Sequence, residues 1–598
     1  MRYWPRLIAG TIVGCCFLHF AAPTVPARQK GPEIKLEPCR VAALNEEARC
    51  GKYDVYEDRD TRTGRKIALN ILILPTLASK PAADPVFYLE GGPGVSAVNT
   101  ARSGGRKALI NKLRAERDVV FVDQRGTGQS NPLKCDFVRD PDDMAAYFSS
   151  ALTYDTLTQC RDKLEKVANL TLYTTPIAMD DLDDVRAALG YDKINLYGGS
   201  YGTRAGLVYI RQHGDRVRSA VLEGVTPTNH KLPLHFAEGV QNALTRLFDD
   251  CAADPACHKA FPDLKSDFSK ALEALDKGPI NVESYNPIKK QAQEISMSRG
   301  AFMEHVRFLL YSPELMTYLP LAIHQSSQGE YGGLATLGFV FDRQVLTLIH
   351  QGMAFSVLCA EDAPFITEDE IKRVTGGTYY GDWSVRRSLS ACKQWPRGKI
   401  PANYSDPVKS DVPVLIVSGE IDPVTPAPIA AEAARSLTKS RQIVGRSWSH
   451  GSSSDCVNGL MADFIARASA AGLDASCMDK ITRPSFFTGE VALAPSGHPA
   501  GTLTTTYEGV LVIASQKLRL VLHLFKSPDQ QYTAALDSPD QGASGLAVDV
   551  VTVKDGALHF EMKAIGASYD GKMSSDGSGF EGEFKQGPTT APLAFKKK

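Results

Sequence analysis

Short, almost wholly apolar runs alternate with helical stretches between residues 52 and 228, and nothing else in the chain restricts its fold as much. KIALNILILP (66–75), PVFYLE (85–90), INLYG (194–198) and VRSAVLEGV (217–225) are too uniformly apolar to leave one face in water. RDVVFVDQRGTG (117–128) begins in the same way and ends in a glycine-bearing loop. Between these runs lie KALINKLRAE (107–116), MDDLDDVRAALG (179–190) and YGTRAGLVYIRQH (201–213), with polar and apolar residues at helical spacing. Strands buried on both faces and separated by amphipathic helices specify βαβ units, hence an α/β core around a mostly parallel sheet. Asp180, Asp181, Asp183 and Asp184 open one of these helical stretches, where the sequence predicts a solvated first turn with no part in chemistry.

The rhythm breaks after residue 227. Until about residue 400 the pattern is mainly helical, as in LHFAEGVQNALTRLFDDC (234–251) and FMEHVRFLLY (302–311). Strands return with DVPVLIVSGEIDPVTP (411–426) and RQIVG (441–445). One sheet interrupted by a helical cap accounts for this order: core from 28 to 227, cap from 228 to 400, core again from 401 to 481. A connector (482–505) then leads to a region, 506–598, of strict alternation. KLRLVLHLF puts Leu518, Leu520, Leu522 and Leu524 on one face, and Asp555-Gly556 and Asp576-Gly577 suit hairpin turns. A small antiparallel all-β domain is predicted there, with no ligand specified by its residues.

Within the α/β rhythm, Gly198, Ser200 and Gly202 form G-x-S-x-G between a strand and a helix. That placement is the one in which a sharp turn lifts a serine hydroxyl above the carboxyl edge of a sheet. A serine needs a base, and the base needs an orienting acid. Asp422 follows the strand VPVLIVSG and His450 follows the next short strand, giving the order Ser, Asp, His. Glu420 is the nearby rival to Asp422. Glu90-Gly91-Gly92-Pro93-Gly94 follows VFYL, where backbone amides could meet a developing oxyanion; Gly92 and Tyr201 are the candidate donors. Acyl transfer by such a set calls for no cofactor and no metal, and no C-x-x-C or Cys/His cluster has zinc-ligand spacing.

GGPG, VDQRGTGQS (122–130) and GGSYG, in that order, resemble the proline iminopeptidase group of α/β-hydrolases. The tripeptidyl-aminopeptidase branch is the better fit, through the helical insertion, SGEIDPVTP and the cysteine-bearing segment after His450. The resemblance covers about residues 50–480. Glu90 departs from it, because proline iminopeptidases usually carry histidine before GGPG. It implies a serine exopeptidase acting on peptides with a free N-terminus, and so carboxylates that receive an α-ammonium group. Glu361 and Asp362 are the first candidates, with Glu90 and Glu223 as rivals. The alternatives are an esterase or lipase with the same triad, and a non-catalytic binding protein on a hydrolase scaffold.

Where such a protein works is addressed by the N-terminus and the cysteines. MRYWPR followed by LIAGTIVGCCFLHFAA and Val25-Pro26-Ala27 has the form of an export signal cleaved after Ala27, predicting a secreted or periplasmic protein. Ile12-Val13-Gly14-Cys15 would instead give a lipid anchor at Cys15. Ten of the twelve cysteines lie beyond this segment, an even number that favours disulfides in an exported chain. Pairing neighbours closes the shortest loops: Cys39 with Cys50, Cys135 with Cys160, Cys251 with Cys257, Cys359 with Cys392, and Cys456 with Cys477. A net charge of −1 over 598 residues gives no basic excess for nucleic acid. No internal apolar run approaches the ~18 residues of a transmembrane helix.

Overall fold

The computed structural model describes residues 34–149 and 153–488, and residues 502–598 apart from 514–515, 527–530, 539–542, 563–565 and 587–588. The expected export signal, with Cys15 inside it, and most of the expected connector lie outside these residues. Nine strands make the first sheet: β1 (Glu37–Val41), β2 (Glu46–Tyr56), β3 (Lys66–Leu74), β4 (Val86–Leu89), β5 (Val119–Val122), β6 (Ile194–Gly199), β7 (Val217–Glu223), β10 (Val414–Gly419) and β11 (Ser440–Gly445). Their order is β1-β2-β3-β5-β4-β6-β7-β10-β11. From β5 to β11 all neighbours are parallel, whereas β1, β2 and β3 form an antiparallel flank.

The apolar runs are continuous because the pleat sends alternate residues into two cores. Phe87, Leu89, Val120, Leu196 and Leu222 join the core on one face. Val86, Tyr88, Val119, Phe121, Tyr197 and Val221 join the core on the other.

The acidic helix differs from expectation. It runs Thr175–Ala188, so its aspartates lie beyond the first turn. Asp181 and Asp183 are buried. The guanidinium of Arg125, from the loop after β5, donates to both oxygens of Asp181 (2.6 and 2.9 Å). Arg59 reaches Asp181 and Asp184 at 2.8 Å. Buried charges demand such partners, and these come from segments 56 and 122 positions away.

Between β7 and β10 the chain builds a cap over the carboxyl edge of the sheet, mainly from helices that include Phe236–Ala253, Arg299–Leu309, Gly332–Leu348 and Gln351–Glu361. It also contains a hairpin, β8 (Ile280–Asn286) and β9 (Gln291–Met297), absent from the sequence reading. Its alternating inward residues, Val282, Ser284, Ile295 and Met297, are few and flanked by long helical patterns.

The C-terminal sheet contains β12 (Thr502–Ile513), β13 (Gln516–Lys526), β14 (Tyr532–Ser538), β15 (Ala543–Val548), β16 (Val550–Lys554), β17 (Ala557–Met562), β18 (Ala567–Met573), β19 (Gly579–Gln586) and β20 (Thr589–Lys597). All its pairings are antiparallel, in the order β15-β14-β13-β12-β20-β19-β18-β17-β16. The two edge strands, β15 and β16, follow each other in the chain, so the sheet curls into a near-barrel around Leu520, Leu522, Leu524, Phe560 and Phe595. Gly571 and Gly582 face each other where a Cβ would strike the Tyr569 ring or the Asp570 carbonyl, which allows the sheet to bend sharply. Strand β12 begins at Thr502, inside the stretch read as connector, because Thr502 already pairs with Lys526.

Candidate active site

Ser200 sits between β6 and the helix Tyr201–His213 with φ +54°, a left-handed conformation that costs a non-glycine residue about 1–3 kcal/mol. Its surroundings hold it there. The Ser200 N–H donates to the Glu223 carbonyl at 2.9 Å, and the Thr203 hydroxyl donates to the Ser200 carbonyl at 2.6 Å. Glycine is required on both sides: a Cβ on Gly198 would lie 2.5 Å from the Gly202 carbonyl oxygen, and one on Gly202 would lie 2.2 Å from that of Leu89. Strand, helix and the loop after β4 therefore meet backbone to backbone.

The structure brings Ser200, His450 and Asp422 into one hydrogen-bonded chain. His450 Nε2 is 2.9 Å from Ser200 Oγ, and His450 Nδ1 is 2.9 Å from Asp422 Oδ2. Asp422, rather than exposed Glu420, points inward. Its Oδ1 accepts the N–H groups of Val424 and Thr425 (both 2.8 Å), and Oδ2 accepts the Thr425 hydroxyl. Burial pushes this carboxyl up, but His450 and the Thr425 and Val424 amides outweigh it and hold it below its ordinary value. Gly224, at φ +66°, leaves room for the imidazole; a Cβ there would lie 3.3 Å from His450 Cε1.

The GGPG turn lies against the serine: a Cβ on Gly91 would be 3.2 Å from Ser200 Cβ and 3.7 Å from Oγ. Gly92 adopts φ +109°, where a Cβ would crowd the Gly94 and Val95 nitrogens. Tyr201 opens its helix, so its N–H belongs to the first-turn donors that have no partner within the helix. The VDQRGTGQS segment braces this turn from behind. Buried Asp123 accepts hydrogen bonds from Ser96, which caps the helix Ala97–Ser103, from the Val98 N–H (3.1 Å) and from Asn70 (2.8 Å).

Several contributors went unrecognised in the sequence. The His350 N–H donates to the Gly94 carbonyl at 2.9 Å, tying the cap to the glycine turn. Tyr311 sets its ring edge-to-face on His450 at 5.0 Å. Its carbonyl accepts the Gly451 N–H, while the Ser449 hydroxyl donates to the Leu310 carbonyl at 2.6 Å. Cap residues thus flank His450 and the glycine turn, but only the fold shows it. The cap also holds a cavity of about 600 Å3, walled by Phe148, Phe308, Phe355 and Trp383 and carrying Glu304 and Asp342. Phe308 contacts Tyr311, ring to ring, at 5.7 Å.

The acids expected to receive an ammonium group are engaged elsewhere. Asp362 is buried and chelated by Arg204 Nη1 at 2.8 and 2.9 Å. Buried Glu361 accepts the Thr175 N–H (2.6 Å), the Thr175 hydroxyl (2.9 Å) and the Tyr404 hydroxyl. Glu90 Oε1 accepts the Gly91 N–H at 3.2 Å, and its other oxygen is sealed from solvent. Glu223 is bound by Arg106 and the Tyr197 hydroxyl. An ammonium seat needs an open carboxylate oxygen facing the substrate, and this geometry offers none at Glu361, Asp362 or Glu90. All five neighbouring cysteine pairs form disulfides: Cys39–Cys50, Cys135–Cys160, Cys251–Cys257, Cys359–Cys392 and Cys456–Cys477. Among the described residues no cluster could hold a metal, and no helix is long and apolar enough to cross a membrane.

A sheet with its nucleophile-bearing turn at the carboxyl edge and a cap inserted after β7 is the arrangement of a known family. A model of the alpha/beta hydrolase fold matches residues 84–453, well over half of the chain, and the chain belongs to that family. It is 26% identical over 471 residues to a Mycobacterium tuberculosis protein named serine protease Hip1, covering 73% of this chain and 89% of that one. Carboxylesterase B of the same organism is 27% identical over 467 residues, with 72% and 87% covered. Tripeptidyl aminopeptidase of Streptomyces lividans is 30% identical over 246 residues, which is 39% of this chain and 43% of that protein.

Proposed function

We propose that the chain is an exported serine peptidase that releases single residues or short peptides from free N-termini through an acyl-enzyme. The observation that carries the reading is the Ser200–His450–Asp422 chain, with 2.9 Å at each link and the serine on a strained elbow. Ser200 Oγ attacks the scissile carbonyl as His450 Nε2 accepts its proton. Asp422 keeps the other ring nitrogen protonated and stabilises the imidazolium. The Gly92 and Tyr201 amides receive the oxyanion, a contribution of about 3–4 kcal/mol for such a donor. His450 then gives its proton to the leaving amine, and water deacylates the serine.

Peptide substrates are supported by the two peptidase relatives, and export by five disulfides together with the N-terminal sequence. Residues 28–227 and 401–481 would form the core, 228–400 the cap and 506–598 an appended β domain.

Ser200→Ala should abolish turnover and fluorophosphonate labelling while leaving the melting temperature unchanged; a variant still turning over at the wild-type rate would remove Ser200 from the mechanism. Unblocked peptide arylamides should be cleaved and their N-acetylated forms spared. The carboxylesterase relative and the aromatic cavity wall favour a second reading, an ester hydrolase with the same triad. Equal rates on blocked and unblocked substrates, with faster turnover of simple esters, would establish it.

A further inference from the structure

Glu361 is a buried carboxylate that the mechanism above does not use. It ends the helix Gln351–Glu361, whose opposite end follows His350. That helix therefore touches both sides of the proposed oxyanion hole. At its start, the His350 N–H holds the Gly94 carbonyl of the glycine turn. At its end, Glu361 Oε2 accepts the Thr175 hydroxyl, and Thr175 Oγ1 lies 2.7 Å from the hydroxyl of Tyr201, the residue after the nucleophile. The Cys359–Cys392 disulfide fixes the helix two residues before Glu361.

We propose that Glu361 is a positioning residue: through Thr175 it fixes the buried Tyr201 side chain, and thereby aims the Tyr201 amide at the oxyanion. The proposal rests on the acyl-transfer reading and adds a part for the cap in it. The direction of the hydrogen bonds carries the argument. An ionised carboxylate only accepts. The single Thr175 hydroxyl proton then goes to Glu361, which leaves a Thr175 lone pair for the Tyr201 O–H. Each proton in the chain has one acceptor, and the Tyr201 ring has one seat.

When Glu361 takes up a proton, that order fails. Oε1 must still accept the Thr175 N–H, so the proton sits on Oε2, among the Thr175 and Tyr404 hydroxyls. Donated to Thr175 Oγ1, that proton reverses the chain: the Thr175 hydroxyl turns its own proton toward the Tyr201 oxygen, and the Tyr201 O–H loses its acceptor. The change falls within a working pH range, because burial pushes the Glu361 carboxyl up to about 7. Arg204, the Tyr404 hydroxyl and the Thr175 N–H pull the other way, while adjacent Asp362 adds to the rise. Arg204 is itself occupied by Asp362 and by the His230 carbonyl at 2.6 Å.

The test compares the full-length wild type with Glu361→Gln, Tyr201→Phe and the double variant, measuring kcat and KM from pH 5.5 to 9 on an unblocked peptide arylamide. Phosphonylation of Ser200 by a fluorophosphonate is followed in parallel. At pH 8.5 each single variant should lower kcat roughly tenfold, a fraction of the 10²–10³ lost with an oxyanion donor. KM should stay within about twofold, because the interaction strengthens only in the transition state. The double variant should be no worse than either single one, and the wild-type to Gln ratio should fall towards one as the pH drops below 7. A ratio independent of pH, additive losses, or an effect on KM alone would overturn the proposal. Should Glu361→Gln fail to fold, Tyr201→Phe alone must lower kcat without raising KM, or the proposal is wrong. A wild type unlabelled at Ser200 overturns the acyl-transfer reading together with this one. A labelled wild type with a flat ratio overturns this one alone.

Discussion

Adding one methyl group at Gly202 tests how much of the site depends on backbone-to-backbone contact. The new Cβ would lie 2.2 Å from the Leu89 carbonyl oxygen, 2.8 Å from its carbon and 3.0 Å from the Glu90 carbonyl oxygen. All three are main-chain atoms at the entrance to the glycine turn, so no side chain can rotate away. The helix Tyr201–His213 must retreat from β4 by about 0.8 Å for the shortest contact to reach 3.0 Å. Overpacking of this kind costs about 1–3 kcal/mol. The retreat also carries Ser200 and the Tyr201 amide away from the glycine turn, and a displacement near 1 Å can cost about 10²-fold in rate. Gly206, one turn along the same helix, is the control. A Cβ there would meet only the Leu222 and Leu89 methyl groups, at 3.2 and 3.6 Å. Replacing that helical glycine by alanine gains up to about 1 kcal/mol of helix propensity. Gly202→Ala should therefore lower both kcat and the rate of fluorophosphonate labelling by roughly 10²-fold and reduce the melting temperature. Gly206→Ala should keep full activity at an equal or higher melting temperature. Activity within threefold of wild type in Gly202→Ala, or an equal loss in both variants, would refute the argument from close approach.

Asp422→Asn should lower kcat by roughly 10³- to 10⁴-fold with KM little changed, because the amide stabilises the wrong imidazole tautomer; steady-state kinetics will show it. The Asp422 carboxyl is held below its ordinary value of 3.8, so its contribution to wild-type stability is present above that pH and lost only as pH falls through the lower folded value. Denaturant titrations should find it intact at pH 5. Glu361 has the opposite sign. Its rise from 4.5 to about 7 makes the native state bind a proton more tightly, a stabilisation complete below pH 4.5 and lost as pH rises through about 7. At about 1.4 kcal/mol per unit, the wild type should gain about 3 kcal/mol relative to Glu361→Gln between pH 8 and pH 4, read from paired urea unfolding curves.

The serine, acid and histidine were legible because each is placed by a few adjacent residues: a strand, a turn and the change to helix or loop. The α/β rhythm was legible for the same reason, and the Leu518–Leu524 alternation placed Leu520, Leu522 and Leu524 in the β core. What could not be read was the destination of charged side chains. Asp362 meets Arg204 across 158 positions and Glu361 meets Thr175 across 186, and no local pattern records such a pairing. Asp181, read as solvated, is buried against Arg125 for the same reason. The hairpin β8–β9 was hidden by its setting, since two short alternating runs count for little among long helices.

The cap enters the chain between the nucleophile and its base, which are 250 positions apart. Each of the five disulfides among the described residues, by contrast, closes a loop of 6 to 33 residues, and none of them bridges the two halves of the core. Joining those halves depends on β10 docking beside β7, a contact whose long sequence separation carries a loop-closure entropy cost before it is rewarded. A newly made chain can therefore oxidise its cysteines, form its local helices and even complete the first seven strands while holding no competent hydrolytic centre. Reactivity arrives with the last strands of the core.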